Sequence, residues 1–200
     1  MPVPNESVVR QVLAQHERDA RIRVCIEEAW NSLKSKYDER AKWRRKSTTR
    51  ALMWENSIGA VVSEFDGDEG VKAIGHHDTM SFIADDTVLF RLKKANSTLF
   101  STNYPTPLAG LFHAHREDLF GHEGHHRVEV VHVFNRFQTA LEWIGVVARN
   151  KRRVLWQFEL PERGASVSVL PLPISPLRPA ADTVLRPVAA DSKKKNNEPK

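Results

Sequence analysis

Histidines crowd one short stretch of this chain, and His122-Glu123-Gly124-His125-His126 formally matches the HExxH string. Zinc-peptidase chemistry needs two imidazoles one helical turn apart on a shared face. The glutamate must then reach the metal-bound water as general base. Here Gly121 and Gly124 flank and interrupt the string, and a two-residue period starts at Val128. No third ligand is specified. The pattern predicts a solvated His-rich loop with no catalytic residue. A metal-binding alternative uses His113, His115, His122, His125 and His126; with His132 these are six of the nine histidines. No cysteine companion or four-ligand spacing defines such a site, and the expectation is that no cofactor is held.

Two groups of cations invite a different chemistry. Arg91 and Lys93 share one strand face by the period of two, and Lys94 follows them into a polar loop. Such a face suits a carboxylate or phosphate, or an acidic protein partner. The second group is Arg40, Lys42, Trp43, Arg44, Arg45, Lys46 and Arg50. Charge with an interleaved aromatic suits nucleic acid, although no named motif surrounds it. Solvated faces are the plain alternative for both groups. Cys25, between Val24 and Ile26, reads as a core thiol. No GxSxG, GxxxxGK[ST] or GxGxxG string is present.

The positioning elements follow from periodicity. Asn5 or Ser7 caps a helix beginning near Val8. Val9, Leu13, His16 and Ala20, then Ile22, Ile26, Ala29/Trp30, Leu33 and Tyr37, form its apolar stripe, as one long helix or as two with a break near Arg21. Ser47 or Thr48 caps a second helix through Ala51, Trp54, Ile58, Val61 and Phe65. Strands follow around Met80–Ala84 and Val88–Leu92, with Asp85-Asp86 as the turn. A short helix falls within Leu108–Leu119. Further strands run from Val128 to Phe134, from Ala140 to Ala148 and from Val154 to Leu160. Short turns predict an antiparallel meander of about five strands under the N-terminal helices: an α+β fold. Residues 1–66 form its helical part and 67–160 its β-rich part. Seven of the eleven prolines lie in 161–200, which predicts a mostly disordered, Lys-ended tail.

The net charge of +5 is unevenly spread. Residues 1–60 carry 12 Lys/Arg against 8 Asp/Glu, and 61–160 carry 11 against 13. The basic ends read as solvated faces and a soluble tail, with a weak polyanion contact as the alternative. One cysteine, no leader-like apolar run and no membrane-length apolar stretch predict a cytoplasmic protein without a membrane partner.

The strings Val88-Leu89-Phe90-Arg91-Leu92-Lys93-Lys94-Ala95 and Asn103-Tyr104-Pro105-Thr106 resemble small bacterial proteins encoded beside metallopeptidase-like toxins of the ImmA/IrrE type. The segments Ala51-Leu52-Met53-Trp54-Glu55 and Val154-Leu155-Trp156-Gln157 are similar as well, so the likeness spans about residues 50–160. The His-rich segment between Leu111 and Arg127 and the Pro-rich tail depart from it. The resemblance implies a bacterial or phage-borne antitoxin-like protein that neutralises a toxin by direct binding. Its implied contact set is Arg91, Lys93, Lys94, Asn103 and Tyr104. The resulting expectation is a non-enzymatic binding or regulatory protein, with a nucleic-acid-associated regulator and a metal-binding protein as alternatives.

Overall fold

The computed structural model describes residues 3–76, 79–101, 107–115, 124–151 and 153–164. The fold is α+β. Helices α1 (Glu6–Ala14), α2 (Arg18–Lys36) and α3 (Lys46–Glu64) precede a six-stranded sheet. Its strands are β1 (Val71–His76), β2 (Thr79–Ala84), β3 (Val88–Ala95), β4 (His126–Phe134), β5 (Leu141–Asn150) and β6 (Arg153–Glu159), in sequential order. Helix α4 (Pro107–Ala114) lies in the connection between β3 and β4. The helical and β-rich parts belong to one compact unit, Met1–Val167. Most of the predicted tail, residues 165–200, lies outside the described residues. Among the described residues no helix is long and apolar enough to cross a membrane.

The helix starts explain themselves locally. Asn5 caps α1, its Oδ1 accepting from the Ser7 amide at 2.9 Å. Such a cap is worth about 1 kcal/mol. The break falls at His16 and Glu17, not near Arg21, because both adopt left-handed backbone angles. That kink turns Arg18 inward, where it meets Asp85 at 2.6 Å. Asp85 itself sits with Asp86 in the left-handed turn between β2 and β3, closed by the Thr87 amide on the Ala84 carbonyl at 3.0 Å. Aspartate tolerates that conformation better than most residues.

One main core joins the helices to a sheet face. Ile22, Cys25, Ile26, Ala29, Trp30 and Leu33 of α2 are buried, as their spacing predicts. In α3 the buried stripe is Met53, Ile58, Val61 and the following Phe65. Ala51 is exposed, because the stripe is rotated from the predicted one. Helix α3 also starts at Lys46, ahead of Ser47 and Thr48, with no side-chain cap. The sheet contributes Phe82, Phe90, Val128, Val130, Ile144 and Val146 to this core. Burial pushes the Cys25 thiol up to about 12, so it behaves as a core group rather than a nucleophile.

The sheet differs from a simple meander in two ways. β1 adds a sixth strand; as an edge strand burying only Val71, it leaves no apolar alternation in the sequence. β3 and β4 pair in parallel, Val88 opposite His126 through Ala95 opposite Val133. Parallel neighbours need a long crossover, which residues 96–125 supply. Gly145 marks a close approach: a Cβ there would strike the Phe158 carbonyl oxygen and the Trp143 ring. Gly145→Ala is therefore expected to destabilise the fold by about 1–3 kcal/mol. Urea unfolding checks this, and an unchanged midpoint would refute the close approach.

Candidate nucleic-acid interface

The predicted chemical residues separate into a buried layer and an exposed patch. The buried layer lies on the sheet face opposite α2 and α3. Alternation along β3, β4 and β5 sends Arg91, Arg127, Glu129 and Arg149 to that side. All four are at most 7% exposed. Glu129 accepts from Arg149 at 2.6 Å and from the Ser101 hydroxyl at 3.0 Å. His113, from α4, lies 3.4 Å from Glu129, and Arg149 donates to its Nε2 at 2.8 Å. His115 Nε2 lies 2.6 Å from the Arg149 carbonyl. Burial lowers the His115 pKa, more than its bond to that carbonyl raises it.

These contacts disperse the candidate metal ligands. His113 and His115 are engaged with Glu129 and with Arg149. His126 opens β4 and takes the Asn5 amide at its Nδ1, 3.3 Å away. Half-buried His125 precedes it. His126 is therefore the start of a strand and not the end of a helical HExxH turn. Among the described residues no group of three or more His, Cys, Asp or Glu is placed to hold a metal. His122 and Glu123 lie outside the described residues.

Arg91 is not the solvent-facing contact that its spacing predicts. Its Nε donates to Ser81 at 2.8 Å, and its guanidinium lies over the Phe112 ring at 4.4 Å. Burial, reinforced by Arg127 and opposed by Glu129, lowers its pKa to about 10. Lys93 and Lys94 are half-buried and, as neighbours in one strand, point to opposite faces. Burial lowers both their pKa values, with Arg91 adding to the effect at Lys93 and Arg50 at Lys94. The three cations therefore form no common docking face. Asn103 and Tyr104 lie outside the described residues.

The Arg40–Arg50 group is arranged differently. A 3-10 segment, Asp38–Lys42, ends at Trp43, and α3 begins at Lys46, so the group does not share one helical face. Arg40 is a brace: it donates to the Tyr37 carbonyl at 3.2 Å and lies 5.4 Å from the Trp30 ring. Lys42, Arg44, Arg45, Lys46 and Arg50 are all exposed. None of the five makes an ion pair or a side-chain hydrogen bond among the described residues. The first turn of α3 has neither a capping side chain nor an acidic residue. Its positive dipole end thus adds to the local cations.

Periodicity did not reveal what faces this patch. The turn between β4 and β5 brings Phe137, Gln138 and Thr139 across from Trp43, Lys46 and Thr49, enclosing a groove of about 310 Å³. Phe137 is 78% exposed. The nearest sequence signal was Asn135, which fixes the turn. Its Oδ1 accepts from the Thr139 amide at 2.8 Å, and its Nδ2 donates to the Thr139 hydroxyl at 2.8 Å. Trp43 is steadied by an edge contact with Tyr37, centroids 5.4 Å apart. Comparison of the chain with protein-family models, curated proteins and solved structures finds no match.

Proposed function

We propose that this chain is a non-enzymatic binding protein whose ligand is nucleic acid, held at the start of α3. The observation that carries this reading is the set of five exposed cations with no carboxylate partner among the described residues. Solvated surface charges usually alternate in sign or pair along a helix. Here five of one sign surround an uncapped helix start, which a phosphate backbone would neutralise. The residues best suited to catalysis, His113, His115 and Ser101, are meanwhile engaged in holding the buried Arg149 and Glu129.

Fluorescence anisotropy with a labelled oligonucleotide tests the proposal. Five phosphate contacts to a single strand should weaken binding roughly a hundredfold between about 50 and 200 mM salt. Arg44→Glu with Arg45→Glu should weaken it at least tenfold at the low-salt end. Absence of binding there would end the reading. Direct neutralisation of a toxin, as the resemblance implies, is the second reading. Exposed Phe137 favours it, since aromatic anchors beside cations are also what protein partners desolvate. It requires a stoichiometric partner on co-purification.

A further inference from the structure

We propose that the groove between Trp43 and Phe137 receives an unpaired nucleobase, so that the ligand is single-stranded. This rests on the nucleic-acid reading of the adjacent cations. Phosphate contacts alone do not distinguish a duplex from a single strand. The groove does, because a base locked in a duplex offers its flat face to nothing but its neighbours. Single-strand sites combine a cationic track with aromatic rings on which exposed bases stack. Both parts are present here, from separate elements. Lys46 and Trp43 approach from the α3 side, and Phe137 from the β4–β5 turn.

Preorganisation favours this occupant. Phe137 projects into solvent from a turn closed at both ends. The Asn135 amide meets the Ala140 carbonyl at 3.0 Å, and the Gln138 amide meets the Asn135 carbonyl at 2.9 Å. The ring is thus presented without core packing from a hydrogen-bonded turn, so the ordering that stacking requires falls mainly on the side chain. Polar groups on the walls suit the edge of a base. Asp38 and Gln138 both line the groove: a carboxylate can accept from a base N–H, whether an exocyclic amine or the N3–H of thymine, and an amide can donate and accept. At about 310 Å³ the groove falls within the range of small-ligand pockets.

The test uses the full chain with labelled 20-mer oligothymidine, the same length of mixed-sequence single strand, and a matching duplex. Anisotropy is read at low salt for the wild type, Phe137→Ala and Phe137→Leu, each checked for an unchanged melting temperature. The single strands should bind at least tenfold tighter than the duplex. Phe137→Ala should lose about tenfold on single strands with an unaltered salt slope, and Phe137→Leu should recover only part of it. Equal binding of duplex and single strand, with both variants neutral, would overturn the base pocket and leave the cationic interface standing. No binding of any oligonucleotide would overturn both.

Discussion

Replacing Glu129 with alanine is expected to cost about 3–5 kcal/mol of folding free energy. Among the described residues it is the one buried carboxylate, and it stands in the middle of β4. Its oxygens meet Arg149 and Ser101, and by strand register it sits opposite Arg91. Alanine would leave the Arg149 guanidinium, 7% exposed, without its counter-charge. Urea unfolding should show the loss, with the melting temperature falling on the order of 10 °C. A loss below about 1 kcal/mol would mean that the layer is electrostatically indifferent to Glu129. Glu129→Leu combined with Arg149→Met should be milder than Glu129→Leu alone, because Arg149 is then no longer left without its counter-charge, although Arg91 still loses the electrostatic support of Glu129. The same carboxylate predicts acid sensitivity. Burial alone would raise its pKa, but contacts with His113, Arg149 and Ser101 bring it below the ordinary value. A depressed carboxylate stabilises the fold above its unfolded pKa. That contribution disappears as pH falls through the folded value.

The second large effect appears at milder acidity and comes from His132. This imidazole is 4% exposed, packs edge-on against Phe134 at 5.1 Å, and has no partner for its Nε2 among the described residues. Burial, helped by Lys94 across the strand pair, lowers its pKa from 6.5 to about 4. The unfolded chain therefore takes up a proton near pH 6.5 that the native state refuses until about pH 4. Between those limits the unfolded state binds more protons, so stability falls as pH falls. The full difference amounts to about 3 kcal/mol. His132→Leu removes the titrating group while keeping an apolar side chain. Between pH 7 and about pH 4.5, the wild type should lose roughly 2–3 kcal/mol more than this variant. Parallel stability profiles for the two proteins would rule out His132 as the source.

Most of the fold was legible because most of it is built from one-sided patterns. The α2 stripe, the Asp85-Asp86 turn and the apolar alternation of β3 and β4 all appear where spacing puts them. β1 was not legible, since an edge strand with one buried residue has no period to detect. The parallel seam was missed for another reason: strand patterns record which face is apolar and say nothing of strand direction. The site was half legible. Composition alone marks the cations from Lys42 to Arg50. Their facing wall comes from residues nearly a hundred positions later, and no local rule joins Trp43 to Phe137. Arg91 misled because strand alternation reads a charge as facing water, whereas here the second face is also covered.

The parallel seam between β3 and β4 divides the sheet into two halves of three strands. Within each half, every strand pairs with its sequence neighbour, so each can zip up from a local turn. The seam cannot, because its two edges come together only after the chain between them has closed a long loop, at an entropic cost unpaid until the ladder forms. Assembly of this protein should thus be paced by the meeting of two preformed halves, and the layer holding Glu129 and Arg91 matures only at that late step.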